Sequence, residues 1–413
     1  MGVKVGIRTR TKGVEVAVVG GGIMGTSLAW HLAKRGIRVT LLERATVAFG
    51  GSGRTGALLR RHYSNEPEAT LAQKGWETYA HWPEVVGGEP VHTATGLIVT
   101  VDTSPACEGN IAKLHRNVAL QNRLGIPARA VGPDELRALQ PFASWDDVRV
   151  AAYEPDSGYV DAVAATRGMA AAAIAAGAEI REACPVLGVA TDGTRVTGVR
   201  TGDGLLPAEV VVVAAGPWTN RVLAGSGVEL PIAALRVQVA ILHRPLELER
   251  PHFVYLDTAA GIFCRPWAPG RTLVGVGGGY QHDSVDPDAY AEQNDPDYPA
   301  LAIAAMAKRI PAMARACYLG GHAGLYDMSP DTHPLLGPVG PAGLYVMTGF
   351  SGAGFKKGPA VGQAMAELIL DGRASFVDLA PFRPGRFAEP GFDPARPWST
   401  TEYVFSRDFG HRL

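Results

Sequence analysis

Residues 14–43 read VEVAVVGGGIMGTSLAWHLAKRGIRVTLLE. The run 14–19 is apolar enough for a strand buried on both faces. Gly20, Gly22 and Gly25 follow in G-x-G-x-x-G spacing, and Leu28 and Leu32 then mark one side of a helix. Lys34 and Arg35 followed by Gly36 form a helix stop signal, and 39–42 (VTLL) is a second strand closed by Glu43. Strand, glycine turn, helix and strand make one βαβ unit, which implies a parallel sheet. The three glycines serve, in order, the tight turn, close approach of a pyrophosphate, and close packing of helix on strand. The helix N-terminus offers N–H groups and partial positive charge to phosphates. Glu43, 23 residues after Gly20, stands where a carboxylate hydrogen-bonds a ribose hydroxyl. The unit predicts a bound dinucleotide, with contacts from Gly20, Gly22, Ile23, Met24, Gly25, Glu43 and Arg44.

Outward from this unit the texture alternates. β-rich pieces such as 96–101 (GLIVTV) sit among polar helical stretches such as 133–139. The α/β signature returns with an alanine-rich helix over 160–176 and a buried strand over 210–216 (VVVVAAG). Three strand-like runs follow, RVQVAIL, GIFCRPW and RTLVGVGGG. Near the end, 343–348 (GLYVMT) reads as a strand, 349–358 as a glycine-rich turn and 359–370 as a helix. The expected fold class is α/β, a Rossmann-like dinucleotide-binding domain with a second, β-rich α+β substrate domain inserted in pieces. The first takes 14–90, 151–228 and 320–380, and the second takes 91–150 and 229–319. Residues 1–13 are expected to be a frayed extension, and the proline-bearing 381–413 an irregular tail packed on the surface.

At 413 residues the chain exceeds one ordinary core, which agrees with two domains. A net charge of −1, with both signs mixed along the chain, provides no broad positive face for nucleic acid. Cys107, Cys184, Cys264 and Cys317 lie far apart without C-x-x-C pairing. That spacing argues against a metal site, a redox dithiol or a disulfide framework, and fits the cytoplasm. The basic leader lacks the apolar stretch of a signal peptide, and the alanine-rich 169–178 is too short to span a membrane.

The G-x-G-x-x-G motif alone does not separate nicotinamide from flavin cofactors. Two further segments do, 50–63 (GGSGRTGALLRRHY) and 349–358 (GFSGAGFKKG). The ordered set GGGIMG, LLRRHYS, VVVVAAGPW, LYDMSPDTHPLLG and TGFSGAGFKKGPAVG resembles the FAD-dependent amine and amino-acid oxidoreductases. That family includes D-amino-acid oxidase, sarcosine oxidase and dimethylglycine dehydrogenase, and the likeness runs from about 14 to 370. It implies FAD, an FAD-binding domain beside a substrate domain, and hydride transfer from a C–N bond to flavin N5, giving an imine. The expected cofactor contacts extend to Ser52, Arg54, Thr55, Val186, Gly216, Trp218, Gly352, Gly354, Phe355 and Lys356.

The resemblance further implies that Arg60 and Lys356 grip a substrate carboxylate, with Arg61 and Lys357 as register competitors. A planar bidentate donor such as Arg60 suits a carboxylate on its own chemistry. His62, next to this clamp, is the third candidate catalytic residue, weighed against a hydrogen-bonded structural role. The sequence departs from the sarcosine oxidases in two places. Gly324 stands where they carry the cysteine that bonds flavin, and Cys317 is too far upstream, so non-covalent FAD is expected. No lysine occurs between Lys113 and Lys308, so their oxygen-activating lysine is missing, with Arg265 or Arg271 as possible electrostatic substitutes. These departures imply a small amine or amino acid other than sarcosine, and oxygen or another electron acceptor. The alternatives are an FAD-dependent 2-hydroxy-acid dehydrogenase, which needs a base for the hydroxyl proton, an FAD-binding protein without catalysis, and a nicotinamide dehydrogenase.

Overall fold

A computed structural model of the chain describes residues 15–105, 108–248, 250–277 and 284–392. The expected 1–13 extension, Cys107, the glycines at 278–279 and the tail beyond 392 lie outside the described residues.

The decisive unit forms as β1 (Glu15–Val19), α1 (Ile23–Lys34) and β2 (Arg38–Leu42). β1 pairs in parallel with β2 on one side and with Val210–Val213 on the other. Glu179–Arg181 extends this sheet beyond β2, and Leu344–Thr348 and Leu335–Pro338 extend it the other way. Of the six strands only Leu335–Pro338 runs antiparallel to its neighbour. Strand order therefore diverges to either side of β1, which opens a crevice at its C-terminal end.

The apolar runs are explained by cover on both faces. Val16 and Val18 pack among α1 and the helices Ala162–Ala175 and Gly358–Asp371. Ala17 and Val19 face the other way, beneath a three-stranded antiparallel sheet, Val186–Thr191, Val196–Thr201 and Gly204–Pro207. Small residues bring α1 close to Gly358–Asp371: a Cβ on Gly362 would fall 2.1 Å from Ser27 Oγ, which donates to the Pro359 carbonyl at 3.2 Å.

The second layer is an eight-stranded, mainly antiparallel sheet. Its order runs Cys317–Met328, Ala233–His243, Arg271–Val276, Ile262–Ala268, Val254–Asp257, Leu97–Asp102, Val148–Glu154 and Arg129–Val131. Helix Tyr298–Arg309 packs on one face. The boundaries drawn from sequence at 150/151 and 319/320 fall inside Val148–Glu154 and Cys317–Met328. Ahead of residue 392 the chain makes two short turns, Ala380–Phe382 and Pro384–Ala388, that dock on the fold. Phe382 is fully buried, and the Arg386 guanidinium forks onto the buried Asp331 carboxylate at 2.7 and 2.8 Å. A carboxylate taken out of water needs such a partner, and a count of prolines does not reveal it. Among the described residues no helix is long and apolar enough to cross a membrane.

Candidate active site

The crevice beyond β1 opens into a cavity of about 400 Å³. Gly20 has φ +114°, and a Cβ there would meet the Ala214 carbonyl oxygen at 2.4 Å. A Cβ on Gly25 would lie 2.0 Å from the Gly20 oxygen, so this glycine serves helix–strand contact and is not part of the cavity wall. Gly22 faces the cavity, with only Ser52 Oγ within 4 Å of a Cβ built there, at 3.1 Å. Ser52 Oγ also accepts the Ile23 N–H at 2.9 Å. The Glu43 carboxylate accepts from the Gly21 and Ala45 N–H groups at 2.7 and 2.9 Å, which fixes it on the wall with lone pairs to spare. An open backbone at the start of a helix, bounded by a fixed carboxylate, fits a dinucleotide's pyrophosphate and ribose.

The far end of the cavity is closed by Tyr326, Asp327, Phe350, Gly352, Gly354 and Phe355. Burial pushes the Asp327 carboxyl upward, although the Gly349 N–H donates to it at 2.7 Å. Phe355 opens a short turn, Phe355–Lys357, positioned by helix Glu66–Ala80. Glu68, Gly75 and Tyr79 recur on one helical face. Tyr79 donates to the Phe355 carbonyl at 2.9 Å, Gly75 lies so close that a Cβ would fall 2.1 Å from the Lys356 oxygen, and Glu68 pairs with Lys357.

This turn separates the two lysines. Lys357 is fully buried, paired with Glu68 and set 4.2 Å over the Tyr63 ring. Burial would raise the Glu68 carboxyl, yet Lys357 and His333 hold it well below the usual range. Among the described residues no carboxylate pairs with Lys356, which is 8% exposed. Burial lowers its ammonium to about 8; nearby Tyr63 opposes that shift, while Arg60 and Lys357 reinforce it. The Arg60 guanidinium lies 4.3 Å from the Tyr63 ring centre, and the buried Tyr63 hydroxyl interacts with the Lys356 ammonium. Burial would raise that phenol, but Lys356, Lys357 and Arg60 together bring it below its ordinary value.

The competing arginine is likewise committed elsewhere. Arg61 is buried, donates to Ser157 and Gln73 at 3.1 Å each, and stacks 4.2 Å over Trp76. His62 is buried among side-chain amides: its Nδ1 is 2.7 Å from Gln121 Oε1, its Nε2 is 3.4 Å from Asn117, and burial lowers it to about 4. It does not line the cavity, and neither do Arg60 or Lys356, which form a charged cluster next to the Phe355 wall. Every other expected cofactor contact except Gly25 is on the wall.

Sequence reasoning missed Asp288, Phe49, Arg221 and Val237 on the same wall. It also passed over helix Glu66–Ala80, whose start is signalled by Asn65 with Glu68 three residues on. None of the three described cysteines lines the cavity, and Gly324, on the wall, faces the Arg54 side chain. Arg265 is directed at the Gly56 carbonyl and stacked between Tyr159 and Trp267, whereas Arg271 is exposed.

The chain is similar to the sarcosine oxidase β subunit of an Arthrobacter species, with 27% identity covering 91% of each chain. It is also 27% identical to the formaldehyde-forming 4-methylaminobutanoate oxidase of Paenarthrobacter nicotinovorans, over 89% of this chain but only 45% of that protein. Among solved structures, L-proline dehydrogenase from P. horikoshii superposes with a TM-score of 0.82 at 26% identity, covering 91% of this chain and 98% of that one. Residues 15–368 match the DAO family, described as FAD dependent oxidoreductase, which spans the glycine turn, both sheets and the Phe355–Lys357 turn. The chain belongs to this family of FAD-dependent oxidoreductases.

Proposed function

We propose that the chain oxidises the C–N bond of a small amino acid whose carboxylate is held by Lys356 and Arg60, with the Tyr63 hydroxyl as a further donor. The observation that carries this reading is Lys356, a buried ammonium with no carboxylate partner among the described residues, beside the wall that Phe355 contributes. A buried cation without a counter-charge is costly, and an anionic ligand relieves that cost. FAD, when bound, supplies the two-electron acceptor. It is held without a covalent bond, by the glycine turn, Glu43, Ser52 and the 352–355 segment.

The chain's own residues then orient and exclude. Fixing the carboxylate at one point sets where the adjacent C–N bond lies, so the cluster supplies orientation rather than proton transfer. Burial holds His62 neutral with both ring nitrogens engaged, which does not suit the base that a 2-hydroxy acid requires. An amine bound neutral needs no such base, and the resulting imine hydrolyses in water. Relatives named for oxidation of sarcosine and 4-methylaminobutanoate act on amines that carry a carboxylate, which supports the same substrate class here. We place the protein in the cytoplasm, and we assign the six-stranded sheet to FAD and the eight-stranded sheet to the substrate.

The test is anaerobic titration of the flavin absorbance with amino acids, N-methyl amino acids, their decarboxylated amines and 2-hydroxy acids. Bleaching by an amino acid but not by its decarboxylated amine is expected. Bleaching by 2-hydroxy acids alone would overturn the reading. Repeating the productive reaction in air, with peroxide as the readout, distinguishes oxygen from another acceptor.

A further inference from the structure

Between the strand Arg271–Val276 and the helix Tyr298–Arg309, the chain belongs by sequence to the eight-stranded sheet. Its stretch from residue 286 to residue 292 nevertheless runs beside the dinucleotide cavity, where Asp288 is part of the wall. The Asp288 carboxylate accepts from Arg44 Nη1 and from Trp218 Nε1, each at 2.7 Å, and also pairs with Arg221. Arg44 in turn stacks 4.3 Å over the Trp218 ring. These residues come from separate segments: Arg44 follows β2, and Trp218 and Arg221, in the short helical turns Gly216–Trp218 and Thr219–Leu223, follow the strand Val210–Val213, on the opposite side of β1. Asp288 thus joins the two lips of the crevice. Asp286 pairs with Arg221 and accepts the Asp288 N–H at 2.8 Å, which fixes the carboxylate from behind. Further along, Tyr290 and Glu292 both bond Arg54, another wall residue.

We propose that residues 286–292 are a polar strap across the cofactor cavity, and that Asp288 is a positioning residue for FAD retention. With Arg44 and Trp218 tied together, the dinucleotide leaves only after the Asp288 bonds break. The pairs are about two-fifths exposed, so each is weak alone and the group acts together. Salt weakens exposed pairs, because the screening length, about 8 Å at physiological ionic strength, shortens as salt is added. The strap therefore adds a salt-sensitive barrier to cofactor release, separate from the glycine turn.

The test needs no substrate. Holoenzyme is diluted, and the rise of free FAD fluorescence is followed for wild type, Asp288→Ala and Asp288→Asn at several salt concentrations. Thermal unfolding of apoprotein and holoprotein is measured in parallel. FAD release about tenfold faster in Asp288→Ala is expected, from the loss of three weak contacts. Asp288→Asn should fall between, and wild-type release should accelerate with salt while Asp288→Ala responds less. Unfolding of apoprotein and holoprotein should shift by the same small amount, because the Asp288 contacts are present without FAD. Wild-type release rates in both variants at all salt concentrations would overturn the proposal. Faster release seen only under conditions where the variant apoprotein unfolds would overturn it too, by making Asp288 a brace of the fold alone.

Discussion

Lys356 holds its charge where burial opposes it, with its ammonium lowered to about 8 and Arg60 and Lys357 adding repulsion. Between about 8 and its ordinary value the unfolded chain binds a proton that the folded chain has released, so stability rises with pH across that window. Below about 8 the cost of the buried charge is fully present. Lys356→Met removes it and should raise ligand-free stability at pH 7 by about 2 kcal/mol, read by denaturant unfolding. Carboxylate binding needs the charged form. Acetate affinity, read from the flavin spectrum, should therefore fall by about tenfold per pH unit above about 8, and in Lys356→Met it should be weak and flat with pH. At this scale the sequence narrowed the clamp to pairs of neighbours, Arg60 or Arg61 and Lys356 or Lys357. The resemblance preferred Arg60 and Lys356, while the residues themselves left both registers open. Lys357 and Arg61 are instead engaged by Glu68 and by Glu154 with Ser157, partners hundreds or tens of residues away that no local pattern identifies.

Among the elements, helix Glu66–Ala80 matters most to the clamp because it touches every residue of the Phe355–Lys357 turn. Gly75 permits that approach. Gly75→Ala places a methyl group 2.1 Å from the Lys356 oxygen, and one of the two elements must move. The substitution should destabilise the fold by about 2 kcal/mol and weaken acetate binding without touching any charged side chain. Denaturant unfolding and the acetate titration check both parts. The βαβ unit and the strand–turn–helix near the end were legible because their periodicity is local and their apolar runs are long. Glu179–Arg181, three residues at the sheet edge, carries too little pattern to stand out. The 286–292 strap has no periodicity, and its meaning lies in partners from three other segments.

Across the whole molecule, two sheets are built from interleaved segments, and the described chain ends by locking onto the first of them. Arg386 supplies the two charged hydrogen bonds to the buried Asp331, beside those from Ser329 and the His333 N–H, and also donates to the His333 carbonyl at 2.9 Å, beside the Glu68 pair. Arg386→Ala leaves a buried carboxylate unpaired and should cost about 3 kcal/mol, measured by thermal or denaturant unfolding. Composition indicated two domains and the order of motifs indicated the family, but where the chain crosses between sheets was visible only in the strand pairings of Val148–Glu154 and Cys317–Met328. The proposed division of labour, with cofactor on one sheet and a cationic cluster for the substrate carboxylate beside the cavity, rests on Lys356. The most direct measurement is anaerobic rapid mixing of wild type and Lys356→Met with an amino acid that bleaches the flavin and with its decarboxylated amine. Wild type should favour the amino acid strongly, and the variant should lose that preference while keeping its FAD. Unchanged half-saturation and rate for the amino acid in the variant would contradict the carboxylate role and the substrate class built on it.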